Sequence, residues 1–430
     1  MQFIADFHIH SKFSRATSSK TNIPNLALSA AFKGIKVLGT GDFTHPGWLE
    51  EIKRNLEEAE PGFLKLRPQV VNSLQKEAPF LKEKLQEVRF VFTTEVSTIF
   101  SRSGKVKKIH LLIFAPDLKT VEKINIKLGW IGNLKADGRP TFNTEAREIL
   151  KTVLDISEDC LVACAHIWTP WFSLFGSRSG FDSIEECFGE DSKYIYALET
   201  GLSSNPQMNW RVSSLDRFTL ISCSDAHSPE KIGREANVFN TSFDYFSMIR
   251  AVKEKDRQKF LYTIEFFPEE GKYHFDGHRL CQIRLSPKER EKYGGICPIC
   301  QRPLTVGVLS RVEELADREN GFIPQNAVPY KTLVPLKEII SQSSVFEEAK
   351  TSVEEEYKRL ILHLGSEFEI LIEKSIEEIA KISPIVAQGI QRVREGKIKL
   401  IPGFDGEYGK VIIWDKEELQ RKIPSQKQLF

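Results

Sequence analysis

The sequence predicts an α/β fold: a parallel sheet or barrel with helices outside, then a small cysteine-bearing module, then a mainly helical C-terminal region. Three observations predict it. Short apolar, β-prone runs alternate with polar helical stretches from residue 1 to about 262. Three of the seven cysteines fall within 20 residues in the segment 263–320, which has glycines and few long apolar runs. From Val334 to Gly396, apolar residues recur at three- and four-residue intervals with Glu and Lys between them. The expected divisions are therefore 1–262, 263–320 and 321–430, in keeping with a chain of 430 residues.

The elements follow in order. FIADFHI is a short strand. NIPNLALSAAFKG is a helix with Asn22 at its N-cap and Gly34 at its end. KVLGTGD is strand then turn, and RFVFTTEVS, IHLLIFAP, LVACAHIW, YIYALETG and FTLISCSDAH are further strands. Polar helical stretches such as Asn143 to Leu154 lie between them. IPGFDGEYGKVII reads as a Gly-rich turn into a strand. In parallel α/β folds the C-terminal ends of strands carry the site.

Sixty basic and 59 acidic side chains leave a net charge of +1, which excludes a bulk polycation but not a local basic groove. No apolar run reaches membrane-helix length, and MQFIADFHIH lacks the basic and apolar regions of a signal peptide. No membrane partner is expected. Seven cysteines suit a reducing compartment, so the expected location is cytoplasmic.

His8 and His10 alternate with Asp6 along the first run, so the three share one face. Asp42 and His45 follow the next run, and Glu95 ends RFVFTTE. His110 opens IHLLIF, His166 ends LVACAH, and Asp225 and His227 end LISCSDAH. One histidine alone is more often a core or surface residue. Six histidines with three carboxylates at such positions point to metal, and the mixed donor set suits Zn, Mn or Fe better than Ca.

These residues resemble the motifs of the PHP (polymerase and histidinol phosphatase) superfamily over about residues 1 to 240. The resemblance implies a distorted (β/α)7 barrel, two or three divalent ions (Zn, Mn or Mg) and phosphoester hydrolysis. It implies catalytic roles for Asp225, Glu95 and His166, with Glu95 as bridging carboxylate. Two departures stand out. Ser14-Arg15-Ala16 replaces an acidic residue common after HxH, and Asp42-Phe43-Thr44-His45 replaces an adjacent Asp-His. Metal ions a few ångströms apart activate water and stabilise the leaving oxygen, so no serine or cysteine nucleophile is required.

His278, Cys281, Cys297 and Cys300 form H-x2-C-x15-C-x2-C, the spacing of one tetrahedral structural zinc site. His274 is a rival fourth ligand, read here as a solvated residue. Cys160, Cys164, Cys187 and Cys223 sit in or near apolar runs and read as core. Residues 271–312 carry eight basic and three acidic side chains, a local excess of 8 − 3 = +5. Arg279 and Arg284 lie in this stretch, which reads as a clamp on a phosphate backbone or as an ordinary solvated surface.

With that module, GHRLCQIRLSP, GGICPICQRPLTVGVLSRVEELADR, YKTLVPLKEII and IQRVREGKIKLIPGFDGEYGKV make nearly the whole chain similar to the endonuclease Q family. The resemblance implies a DNA repair endonuclease that nicks 5′ to a deaminated base (uracil, hypoxanthine, xanthine) or an abasic site. It also implies damaged DNA as partner, with the zinc module and helical tail holding it near the nucleoid. The alternative is a PHP phosphatase or exonuclease on small phosphoesters or DNA ends. Base inspection needs aromatic wedges beside a pocket. Trp168, Trp171, Phe172 and Phe175, with Arg178 just beyond, follow His166 and serve as wedge, as a lid over the barrel, or as both. Arg102 lies in a basic hairpin, and Asn209 is a pocket candidate or part of a polar loop. Arg392, Arg394 and Lys397 give the tail a basic stretch before the glycines. Gln426 to Phe430 resemble the first half of a sliding-clamp-binding peptide, against a frayed terminus.

Overall fold

The computed structural model describes residues 1–343 and 350–414. Among them a thirteen-stranded sheet forms the framework. Its main strands, in chain order, are β1 (Gln2–Asp6), β2 (Val37–Gly39), β3 (Arg89–Arg102), β4 (Lys105–Ala115), β5 (Leu161–Cys164), β6 (Ala197–Glu199), β7 (Thr219–Ile221), β8 (Ala236–Asn240) and β9 (Phe260–Glu265). Later come the hairpin strands β10 (Asp276–His278) and β11 (Ile283–Leu285), and then β12 (Tyr330–Thr332). The order across the sheet is β7-β6-β5-β4-β3-β2-β1-β8-β9-β12. Side chains bind the far strands to each other: Ser222, next to β7, donates from its hydroxyl to the Ile264 carbonyl of β9, and its N–H donates to Asn237 of β8.

The sheet is mixed rather than all parallel. β1–β2, β2–β3, β5–β6 and β6–β7 pair parallel, whereas β3–β4, β4–β5, β1–β8 and β8–β9 pair antiparallel. The reversal comes from the β3–β4 hairpin, whose two-residue turn, Ser103-Gly104, has positive φ at both positions. Helices cover the outside, among them Ile23–Lys33, where Asn22 accepts the Asn25 N–H and Gly34 closes the helix in the left-handed region.

The end of the chain adds to this frame. β12 pairs parallel with β9. Helices Leu336–Gln342, Lys350–Leu364 and Pro384–Arg394 bury Leu336, Ile340, Leu360, Val386 and Ile390 in a core continuous with that of the barrel helices. The tail hairpin Lys399–Ile401/Lys410–Ile412 lies against residues 269–271. Glycine is required there: a Cβ on Gly409 would meet the Glu269 carbonyl at 2.0 Å, and one on Gly403 the Gly271 carbonyl at 2.4 Å. No described helix is long and apolar enough to cross a membrane.

Candidate metal centre and cleft

The metal-type residues converge at the C-terminal ends of the parallel strands. His8 and His10 follow β1, Asp42 follows β2, His166 follows β5, Glu199 ends β6, and Asp225 and His227 follow β7. Glu95 lies inside β3 and His110 inside the antiparallel β4. Ser97 pairs with His110 and Glu95 with Leu112, so Glu95 and His110 are diagonal neighbours on one face.

Glu95 divides the site into two lobes. Its Oε2 lies 3.4 Å from His8 Nε2 and 3.3 Å from His10 Nε2. Its Oε1 lies 2.6 Å from His110 Nδ1 and 3.0 Å from His166 Nε2. Asp225 Oδ1 completes the first lobe, 3.2 Å from His10 Nε2 and 3.7 Å from His227 Nδ1. His8 Nε2, His10 Nε2 and Asp225 Oδ1 are buried without hydrogen-bond partners. Orphaned donor atoms are costly in a protein interior, and divalent cations satisfy imidazole and carboxylate donors of this kind. These residues therefore suit divalent metal ions.

The surroundings hold the ligands in place. Glu199, fully buried, accepts from His8 Nδ1 at 2.9 Å, leaving Nε2 for the site. Asp42, His166 and Asp225 have φ of 45°, 29° and 46°, a strained region for side-chain-bearing residues, and such strain concentrates at functional sites. Burial pushes the His110 imidazole down to about 4, overriding the carboxylate of Glu95. At Glu95, burial opposes ionisation, but His110, Arg139 and His8 hold the carboxyl well below the usual range.

Asp42 and His45 stand outside these lobes. Asp42 Oδ1 lies 3.1 Å from His10 Nδ1, and its Oδ2 accepts from the Ser11 N–H and from the Ser11 and Ser14 hydroxyls. It orients His10 from behind, and Ser14 takes the place where an acid was expected. His45 holds the N-cap position of the helix Pro46–Asn55 without a side-chain capping bond; its ring stacks on Phe13 at 4.3 Å, and its Nδ1 is buried without a hydrogen-bond partner. Asp6 also turns away, accepting from the Ser224 and Gly233 N–H groups.

Two residues that hold the metal-type ligands escaped the sequence reading. Arg139 donates to Glu95 Oε2 at 2.9 Å from a loop between a helix and a short strand, where no local signal marks it. Glu199 had a signal: it ends the apolar run YIYALE as Glu95 ends RFVFTTE.

The lobes open onto a cleft of about 760 Å³ lined by Arg139, Trp171, Phe172, Arg234, Glu270, Lys272, Tyr273 and Tyr408 among others. Trp171 is exposed and sits edge-on to Tyr273 at 5.9 Å, and the Phe172 ring lies 4.8 Å from that of His110. Trp168, Phe175 and Asn209 face the interior instead. Trp168 Nε1 donates to Asn209 Oδ1 at 2.8 Å and its ring packs on Phe175. Arg102 serves the fold, pairing with Glu145 and donating to the carbonyls of Glu186 and Cys187. Arg178 donates to the Leu304 carbonyl at the edge of the cysteine module.

His278, Cys281, Cys297 and Cys300 place one donor atom each within 4.8 Å of one another. Against desolvation, the N–H groups of Cys300 and Ile299 bring the Cys297 thiol down to about 7. His274 is not solvated, as its sequence setting suggested. It is buried and bonded to the Ser203 carbonyl at 3.1 Å, because residues 271–274 pack on the loop after β6. Arg279 and Arg284 are exposed beside the tail hairpin, and Arg284 donates to the Pro402 carbonyl. Arg392 lies over the Trp414 ring, Arg394 caps the carbonyls of Ile370 and Leu371, and exposed Lys397 pairs with Glu395. Gln426 to Phe430 fall outside the described residues.

The fold and the paired histidine–carboxylate lobes define a class: a PHP-type α/β fold with clustered residues suited to divalent metal ions. Residues 335–397 match the family model described as the MJ0043 C-terminal domain. The MJ0043 protein of Methanocaldococcus jannaschii is 33% identical over 325 residues, 70% of this chain but only 40% of that protein. The Bacillus subtilis protein YqxK is 30% identical over 310 residues, 70% of this chain and 73% of that one. The lesion-specific endonuclease PfuEndoQ of Pyrococcus furiosus superposes with a TM-score of 0.82 at 29% identity, covering 98% of this chain and 99% of that one. Endonuclease Q in complex with a 27-mer duplex carrying an abasic lesion at the active site gives 0.84 at 29% identity over all of both chains. The chain belongs to the same family as YqxK, and it is similar to endonuclease Q over its whole length.

Proposed function

We propose that this protein is a divalent-metal-dependent DNA repair endonuclease. It hydrolyses the phosphodiester 5′ to a deaminated base or an abasic site, with the lesion turned out of the stack into the cleft. The carrying observation is the end-to-end match to an endonuclease bound to duplex DNA with an abasic lesion at its active site.

Each group has a task in this reading. His8, His10, Asp225 and His227 hold metal on one side of Glu95, and His110 and His166 hold it on the other, for two or three ions in all. Zn, Mn or Mg bound there supplies Lewis-acid activation of water and of the leaving oxygen. Arg139 keeps Glu95 ionised and places a cation where the scissile phosphate arrives. Trp171, Phe172 and Tyr273 offer faces for the unstacked nucleotide. Lys231, Arg234 and Lys272 line the same cleft and suit the phosphate backbone.

One structural zinc held by His278, Cys281, Cys297 and Cys300 joins the β10–β11 hairpin to the CPIC loop and presents Arg279 and Arg284 to DNA. Arg178, Arg392, Arg394 and Lys397 extend the basic surface.

The test uses end-labelled duplexes, each with one uracil, hypoxanthine or abasic site, and divalent metal. A single nick 5′ of the lesion, lost in Asp225→Ala, is expected. Digestion of undamaged ends, or hydrolysis of small phosphoesters alone, would overturn the reading in favour of an exonuclease or phosphatase.

A further inference from the structure

The cleft has a second wall, opposite in chemistry to the metal lobes. Gly201 lies against His166, where an added Cβ would come within 2.6 Å of the ligand's own Cβ. Gly271 lies against Ser203, where one would meet the hydroxyl at 2.2 Å. A close-packed strip thus runs from the ligand His166 through residues 201–203 to residues 270–273. On that strip sits Glu270, which lines the cleft and is only 6% exposed. Its Oε1 is buried with no hydrogen-bond partner, while the Val411 backbone N–H lies against the carboxyl. An unpaired buried carboxyl oxygen is expensive to maintain, and the metal ligands make no use of this one.

We propose that Glu270 reads the exocyclic position of the extruded base, presenting a hydrogen-bond donor from Oε1 to the carbonyl that deamination creates. This rests on the lesion-endonuclease reading above. Cytosine and adenine carry an amino donor at that position, whereas uracil and hypoxanthine carry a carbonyl acceptor. Burial, with Glu338 and Glu269 nearby, pushes the carboxyl up to about 8, against Lys231 and the Val411 N–H. The group is therefore neutral below that pH. A neutral carboxyl keeps its acceptor oxygen toward the Val411 N–H and its hydroxyl on Oε1. A hydroxyl there pairs with a carbonyl and confronts an amino group with a second donor. A buried polar group left facing the wrong partner is what allows strong discrimination.

An abasic site has no base to read, so it serves as the internal reference. Nicking is compared on duplexes with uracil, hypoxanthine or a stable abasic analogue, using the full-length protein with divalent metal. Glu270→Ala lowers the uracil-to-abasic and hypoxanthine-to-abasic rate ratios by about tenfold or more. Glu270→Gln, whose amide supplies both a donor and an acceptor, restores the ratios to within about threefold. In the unsubstituted protein both ratios fall as pH rises through about 8, and in Glu270→Gln they stay flat. If Glu270→Ala changes all three rates alike, or none, Glu270 is a structural residue and the inference is overturned. A protein that nicks none of the three without any substitution refutes the endonuclease reading, and this one with it.

Discussion

The carboxylate of Glu199 lies 2.9 Å from Nδ1 of His8, and its other oxygen accepts the backbone N–H of His166 at 2.7 Å. One buried acid thus sets the ring of a residue in the first lobe and the backbone of a residue in the second. Glu199→Ala is expected to weaken metal affinity by about 10- to 100-fold, the usual cost of losing such a partner. Glu199→Gln, which can still accept from Nδ1–H, should recover part of it. Metal titration followed by calorimetry reads this directly, and an unchanged affinity in Glu199→Ala would refute the orienting role.

Trp168 and Trp171 are three residues apart and should fail differently. Trp168 is 1% exposed, so Trp168→Ala should cost about 3 to 5 kcal/mol of folding stability. Trp171 is 39% exposed at the cleft, so Trp171→Ala should leave the melting temperature nearly unchanged. Its loss should instead weaken binding of lesion duplex by about 1 to 3 kcal/mol. Denaturant titration and fluorescence anisotropy separate the two, and a large stability loss in Trp171→Ala would contradict the arrangement.

Cys297 is buried at the centre of the cysteine–histidine group. Replacing it with Ser should release one equivalent of zinc per chain, measured by a colorimetric chelator, and lower stability by several kcal/mol, on the order of a lost structural metal. Retention of a full equivalent would argue against the four-residue site.

His110 carries a pH signature. Its folded pKa, about 4, lies below its unfolded value, so the unfolded chain binds the proton first as pH falls. Its contribution is fully present above about 6.5 and lost as pH falls toward 4, up to about 3 kcal/mol. In metal-free protein, His110→Gln should therefore shrink the stability difference between pH 7 and pH 5. An undiminished difference in urea titrations would rule this out.

Chelation gives a final check on the lobes. Excess EDTA should abolish nicking, and added divalent ion should restore it in the unsubstituted protein but not in Glu95→Ala. Since Glu95 touches both lobes, its loss should lower metal stoichiometry as well as rate, and full stoichiometry in that variant would count against a bridging role.

Much of the fold and site was legible in the chain. Alternating β-prone runs and polar helices marked the barrel, because side-chain period and β-branching act locally. Imidazoles and carboxylates at the ends of those runs marked metal chemistry, because few other uses suit that donor set. H-x2-C-x15-C-x2-C marked the second cluster through spacing alone. Other matters turn on distance in space. The antiparallel turn at Ser103-Gly104 sets Glu95 diagonal to His110. Asp42 is drawn behind His10 by Ser11 and Ser14, and the His45 ring is stacked on Phe13. Trp168, Phe175 and Asn209 go inward while Trp171 stays out, though Trp168, Trp171 and Phe175 are large aromatics of one short segment. Arg139 reaches the cleft from a loop and Glu270 from a single 3-10 turn, Pro268–Glu270, with no periodicity to announce either. Residue type, read from sequence, determined which chemistry this protein is able to perform. Tertiary structure decided which of those residues meet, because burial and hydrogen bonding between segments some 200 residues apart are settled only when the sheet curls and brings its far strands together.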